Sequence, residues 1–260
     1  MGMKKIIGIS VLACVGSVAS ASGVGDVASF IDAPRLFNDF GSSNLVYNSN
    51  FNPAGSSLSI HEDNYGSGGF ANRHAAWFGN AAGTNKVDFN YGDGWDIQTS
   101  LNVNASGVGQ VEAGFQFDLF GFGIFGVLTG NGEIAAFGSV MPFHTFGTGV
   151  YNNGDDVILR MIHRPGGGEN SSPASTMEYM YNNMTTGSGW VSSGQIDFTT
   201  TEGGIPSFFD LFAGVGAQIN NPSPDGSVDI NFSNLTLAVP APGALGVLMA
   251  AGLGATRRRR

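Results

Sequence analysis

The sequence predicts an all-β protein, an antiparallel β-sandwich or jelly roll, and three observations carry that expectation. Turn formers and strand formers are both abundant: 41 of the 260 residues are Gly and 20 are Phe, while 12% are charged. Such a chain is too apolar and aromatic for disorder, and its glycines interrupt it too often for long helices. Apolar residues recur at every second position, most clearly in WDIQTSLNV, where Trp95, Ile97, Leu101 and Val103 alternate with Asp96, Gln98, Ser100 and Asn102. That period gives a strand with one buried and one wet face. Turns rich in Gly, Asn and Asp punctuate the chain at the spacing of antiparallel strands. A length of 260 residues suits one such domain. A closed barrel is the second architecture compatible with the pattern.

Taken in order, residues 22–68 are rich in Ser, Asn and Gly, with one short strand at Leu45-Val46-Tyr47. Strands follow at 74–78, 87–91 and 95–103, with Gly92-Asp93-Gly94 as the turn between the last two. Residues 111–119 place Phe115, Phe117 and Leu119 on one face. Further strands are expected at 122–128, 133–140, 157–162, 177–181, 194–199 and 228–237. Val157-Ile158-Leu159 is apolar on both faces, which places that strand centrally. Asn153-Gly154 supplies the positive φ of a turn, and the loop over 165–174 has no apolar anchor. One stretch suits a helix, SFFDLF over 207–212, with Ser207 as N-cap and Asp210 three residues later.

The segments GGFANRHAAWF (68–78), VDFNYGDGWDIQTSLNV (87–103) and DINFSNLTLAV (229–239) resemble, in their order, the concanavalin-A-like and laminin-G-like jelly rolls. That resemblance implies a sandwich with its core over about 68–238. It also implies two functional alternatives, a lectin-like carbohydrate-binding module and a polysaccharide-active enzyme.

Charge is distributed unevenly. Lys4, Lys5 and Arg257 to Arg260 sit at the ends, leaving Arg35, Arg73, Lys86, Arg160 and Arg164 against all 20 acids, a net −15 for the body. Such a body repels nucleic acid and anionic membrane surfaces. The N-terminus reads as a signal peptide over 1–21: two lysines, an apolar core from Ile6 to Val18, and Ala19-Ser20-Ala21 as a small-x-small cleavage site before Ser22. Cys14, the single cysteine, lies inside it, so the mature chain has no thiol chemistry.

The chemistry-bearing residues are sparse. His61, His74, His144 and His163 are scattered and no Gly-x-Ser-x-Gly elbow occurs. Jelly-roll glycosidases carry acids as Glu-x-Asp-x-x-Glu on one strand; Glu112 and Asp118 share a strand without that spacing. The expectation is therefore a protein that is not an enzyme. No cofactor is implied, and calcium is the one ion that the acidic turns at Asp93, Asp96, Asp155 and Asp156 could take. Of the three tryptophans, Trp95 belongs to a buried face. Trp190, in Gly-Ser-Gly-Trp, is the expected exposed ligand contact.

The C-terminus is the most specific stretch. Fourteen residues separate Pro242 from Arg257. As a helix they would span ~21 Å, short of a ~30 Å hydrocarbon core, and the arginines would stay cytoplasmic. Val239-Pro240-Ala241-Pro242, a Gly/Ala/Leu segment, then Arg257, Arg258, Arg259 and Arg260 resemble the PEP-CTERM sorting signal, with Ala241 in place of its central Glu. That resemblance implies residues 239–260 to be a membrane helix and address read by an exosortase-type enzyme. It also implies a protein of 22–238 that is exported, held briefly at the inner membrane, then released to the cell surface or extracellular matrix, with extracellular polysaccharide as a partner. The sequence-based expectation is thus an exported surface or matrix protein, handled by signal peptidase and an exosortase.

Overall fold

The computed structural model describes residues 23–89, 92–119, 121–166, 175–198 and 211–239. The predicted signal peptide, the sorting segment beyond Val239 and the 207–210 part of the predicted helix lie outside them. A single 3-10 turn, Val24–Asp26, precedes thirteen strands: β1 (Ser29–Asn38), β2 (Asn44–Asn50), β3 (Ser56–Asp63), β4 (Ala71–Gly79), β5 (Asp88–Phe89), β6 (Trp95–Leu119), β7 (Gly121–Leu128), β8 (Glu133–Gly138), β9 (His144–Thr145), β10 (Asp156–Arg164), β11 (Thr176–Asn183), β12 (Val191–Asp197) and β13 (Leu211–Ala238). The pairings between them are antiparallel.

Two very long strands organise the molecule. A straight strand of 25 residues would run roughly 80 Å, far beyond the thickness of one domain. Instead β6 and β13 pair with each other along their length and bend together. The bend lies where Gly107 takes φ +63° and where the register shifts between Pro222 and Ser227. A Cβ at Gly107 would sit 2.6 Å from Ser223 Oγ, so the corner demands glycine. Before the corner, β6 pairs with β10 and with the end of β13, giving a first sheet in the order β2-β3-β13-β6-β10-β11-β12. After it, β6 pairs with β7 and the start of β13, giving a second sheet in the order β1-β4-β13-β6-β7-β8-β9. Trp95 and Phe117, at opposite ends of β6, meet across the core with ring centroids 6.1 Å apart. Phe125 of the second sheet and Tyr179 of the first lie 5.0 Å apart in the same way. The fold is an all-β antiparallel sandwich with open edges rather than a closed barrel.

The core is the set of inward positions that the period of two selects, among them Leu58, Ile60, Ile97, Leu101, Phe115, Phe117, Leu159, Val215 and Ile230. Four expectations are corrected. The strands foreseen at 95–103 and 111–119 are one strand, because Ser106 and Gly107 bend the backbone without closing a hairpin. The sandwich begins well before residue 68: β1–β3 form part of both sheets and contribute Leu58 and Ile60 to the core. Leu211 and Phe212 open β13, so no helix runs to residue 212. The strand over 87–91 starts one residue later, at Asp88, and its last two positions lie outside the described residues.

Candidate functional site

The alternation that fills the core also decides what the second sheet shows on its other face. On β4, Asn72, His74, Ala76 and Phe78 point inward, leaving Arg73, Ala75 and Trp77 outward. On β6, Val111, Ala113, Phe115 and Phe117 point inward, leaving Glu112, Gly114, Gln116 and Asp118 outward. On β13 the outward set is Gly214, Gly216, Gln218 and Asn220. Strand register aligns these residues into three rows that cross the sheet. The middle row, Ala33-Ala75-Gly216-Gly114-Gly126-Ala135, contains only Ala and Gly. One flanking row is Ile31-Trp77-Gly214-Gln116-Ile124-Phe137, and the other is Phe37-Arg73-Gln218-Glu112-Leu128-Glu133.

The middle row is a floor from which side chains are excluded. A Cβ at Gly216 would lie 2.2 Å from the His74 carbonyl oxygen; at Gly114, 2.1 Å from that of Phe125; at Gly126, 2.1 Å from that of Ala113. Glycine at such positions marks a close approach of backbone or ligand. The result is a trough in side-chain height running across the strands, whose floor at Ala75, Gly216, Gly114 and Gly126 and whose flank at Trp77 and Gln116 are buried.

The walls of this trough mix apolar ends with a polar set at their centre. Arg73 Nε donates to Gln116 Oε1 at 3.0 Å, and its guanidinium lies 3.7 Å from the Phe122 ring centroid. Glu112 accepts from Gln110 Nε2 at 2.7 Å and from Asn220 Nδ2 at 3.0 Å. Gln218 Nε2 donates to Asn220 Oδ1 at 3.0 Å. Lys86 Nζ sits 4.1 Å from the Trp77 ring centroid and pairs with Asp118 at 3.3 Å. Burial pushes the Arg73 guanidinium down to about 10, against the opposing charges of Asp118 and Glu112. Burial also raises the Glu112 carboxyl, in spite of its hydrogen bonds from Gln110 and Asn220.

Three buried N–H donors on this face have no hydrogen-bond partner among the described residues: Arg73 Nη2, Gln116 Nε2 and Trp77 Nε1. Each such group costs about 1–3 kcal/mol while unmet. They cluster, because Trp77 and Gln116 both flank Gly214 and Arg73 reaches across to Gln116. Arg73 is also the exception among the five cations of the body. Arg35 pairs with Glu62, Lys86 with Asp118, Arg160 with Asp96 and Arg164 with Glu178, whereas Arg73 has no carboxylate within ion-pair distance among the described residues. The trough thus offers one cation without a carboxylate partner among the described residues and two further donors, and it asks for acceptors.

The expected sites fall elsewhere. Asp96 is held by Arg160 through two contacts of 2.9 and 2.6 Å. The Asp155 carboxylate is taken up by Asn152 and by Asn183 Nδ2 at 2.8 Å. Asp93 faces the Val24 amide, and Asp156 accepts from Asn102 in a shallow groove of about 460 Å³ on the outer face of the first sheet. The four acids do not converge, and no cluster of metal-ligating side chains occurs among the described residues. Trp190 is 44% exposed, as expected, but it precedes β12 at the edge of the first sheet, away from the trough. Trp95 is core, stacked on Phe117 and on His163. Val239 closes the described chain, exposed beside a small hollow lined by Val24, Phe51 and Leu237.

Two of the histidines, His74 and His163, are structural. His74 Nδ1 accepts from the Arg35 amide, so Nε2 carries the proton and donates to Glu62 at 3.0 Å. Glu62 also accepts from Ser43, Asn72 and Arg35, a closed buried clamp between the sheets. Although burial opposes ionisation, the bonds from His74, Ser43 and Asn72 hold the Glu62 carboxyl below its usual range. His163 donates through Nδ1 to the Asp93 carbonyl at 2.7 Å and receives the Ser175 hydroxyl on Nε2 at 3.0 Å. Sequence reasoning did not foresee this Ser–His contact. It is sealed in the core, and a carbonyl rather than a carboxylate orients the ring, so it lacks the arrangement of a nucleophile.

No protein-family model matches the chain, and no curated protein matches it. Solved structures share the sandwich. One is a functionally unknown protein from Saccharomyces cerevisiae, with 12% identity and a TM-score of 0.43 over 78% of this chain and 99% of that one. The marine alginate lyase from Aplysia kurodai has 9% identity and a TM-score of 0.44 over 83% of this chain and 99% of that one. The Lotus tetragonolobus seed lectin has 14% identity and a TM-score of 0.39 over 82% of this chain and 100% of that one. These are likenesses of architecture alone.

Sequence reasoning missed Arg73 and Gln116, and it named Trp77 only as one of three large aromatic candidates for sugar stacking, behind Trp190. The signal that points to them is glycine at every second position of strands, Gly214 and Gly216 beside Gly114 and Gly126, where a solvent-facing polar residue is the ordinary occupant.

Proposed function

We propose that the protein binds a glycan carrying carboxylate groups in the trough of the second sheet, without turning it over. The observation that carries this reading is Arg73, half-buried and without a carboxylate partner among the described residues, beside two further unmet donors on Gln116 and Trp77. Sugar hydroxyl and ring oxygens are acceptors for the amide and indole, and a uronic acid carboxylate suits a guanidinium. Phe37, in register with Arg73 and 47% exposed, gives a ring face at the rim for stacking. The net charge of the body repels polyanions at long range, so a short oligosaccharide, or one mixing acidic and neutral sugars, fits better than a fully charged polymer.

Binding is preferred to catalysis on two grounds. The three rows contain no His, the side chain best placed to take a proton at neutral pH. Glu112 and Asp118 stand six residues apart on one strand, roughly 20 Å, against the roughly 5–10 Å of paired glycosidase carboxyls. Calorimetric titration with a uronic-acid oligosaccharide and its carboxyl-reduced counterpart tests the reading. The acidic form should bind more tightly, and R73A should weaken it about 10- to 100-fold, the worth of one charged hydrogen bond. Equal affinity for both forms, or an unaffected R73A chain, overturns it.

The route in this proposal is export by the signal peptide and sorting by a PEP-CTERM-like tail, which would bring a concanavalin-A-like binding domain to extracellular polysaccharide. Intact mass of secreted chain should lack residues 1–21 and most of the segment after Pro242; a retained tail contradicts the processing step.

A further inference from the structure

We infer that the hollow at the end of β13 seats the chain's own residues 239–242, with Val239 and Ala241 turned into it. The docking is independent of the glycan site. The hollow, of about 130 Å³, is lined by Val24, Phe51, Pro53, Phe78, Leu235 and Leu237 among others, and Val239 stands 42% exposed beside it. No charged side chain lines it. The one hydroxyl, Ser56 Oγ, is spent on Asn52: it donates to the carbonyl and accepts from the amide, both at 2.9 Å. The side chains therefore offer an apolar seat.

Chain continuity selects the occupant. Thr236, Leu237 and Ala238 lie opposite Gln98, Ile97 and Asp96 of β6. Ile97 is core, so Leu237 faces inward with it, and a period of two carries that face to 239 and then 241. Val239 and Ala241 each precede a proline, which pushes both toward extended backbone and keeps the period running past Ala238. The inward row Leu235, Leu237, Val239 already runs along the hollow, and 241 is its next position. The sorting signal that this tail resembles carries Glu there. A carboxylate in an apolar seat would be desolvated without a partner, whereas the methyl group of Ala241 needs none.

One consequence rests on the sorting reading of the tail. A motif seated on the body is withheld from the processing enzyme, so the cut follows its release. The cut chain then keeps 239–242 as a docked end.

Thiol labelling of the full chain tests the docking, in a C14S background that removes the native cysteine. A charged maleimide should modify A241C at least tenfold more slowly than T256C, which lies in the same tail. V27E places a carboxylate in the lining and should bring the A241C rate up to that of T256C, with circular dichroism unchanged. A241E should lower the melting temperature by about 2–4 °C, and A250E should leave it as it was. An A241C thiol as reactive as that of T256C, or an A241E chain that melts with wild type, overturns the docking. In a cell that processes the tail, A241E should be cut faster than wild type, and equal rates overturn the withholding. A tail that is never cut contradicts the sorting reading alone, and the thiol rates still decide the docking.

Discussion

Replacing Gly216 by Ala adds one methyl group where the second sheet has no room for it. The new Cβ would stand 2.2 Å from the His74 carbonyl oxygen, 2.9 Å from Ala75 Cα and 3.1 Å from Gln116 Cδ. Two of these are backbone atoms of β4, which is hydrogen-bonded to β13 at this very pair. No rotamer relieves the contact, so the strands must part by about an ångström. Overpacking costs about 1–3 kcal/mol when side chains can shift, and the upper end, about 3 kcal/mol, applies where backbone must move. For a domain of this size that corresponds to a fall in melting temperature of roughly 6–12 °C. The control is G25A, where nothing lies within 4 Å of the added Cβ and the change should stay within about 0.5 kcal/mol. Urea unfolding followed by tryptophan fluorescence gives both values. A G216A chain as stable as G25A would refute the close floor, and with it the trough.

Acid should destabilise the fold through His163. Burial holds its imidazole down to about 4 from 6.5, despite the Asp93 carbonyl, so between those values the unfolded chain binds the extra proton. Stability contributed by neutral His163 is complete above pH 6.5 and falls by about 3 kcal/mol as pH drops to 4; H163Q should flatten that slope in urea unfolding measured across pH. W190A should leave glycan affinity within error in the same titrations used for R73A, because Trp190 lies on the other sheet's edge.

Much of the fold was legible because it rests on a period of two that burial enforces. Trp95, Ile97, Leu101 and Val103 are inward as that period requires. The joins were not legible. Nothing local distinguishes a hairpin at Ser106-Gly107 from a corner that two paired strands turn together; the difference is made by Asn221 to Gly226 on β13, more than a hundred residues away. The region before residue 68 looked loop-like because its strands expose Asn and Ser and bury few large residues. The trough was invisible for a related reason. Arg73, Gln116 and Trp77 are distant in sequence and meet only because β13 brings Gly214 and Gly216 between them. Trp190 was readable as exposed, but exposure alone does not make a site.

The most direct test of the central claim follows the indole N–H signals of the ¹⁵N-tryptophan-labelled chain during titration with a uronic-acid oligosaccharide, assigned with W77F. Trp77 Nε1, unpartnered in the trough, should shift on binding, the shift should vanish in R73A, and Trp95 and Trp190 should stay still. A titration in which Trp190 alone moves, or in which no indole moves while the sugar binds, would contradict the account.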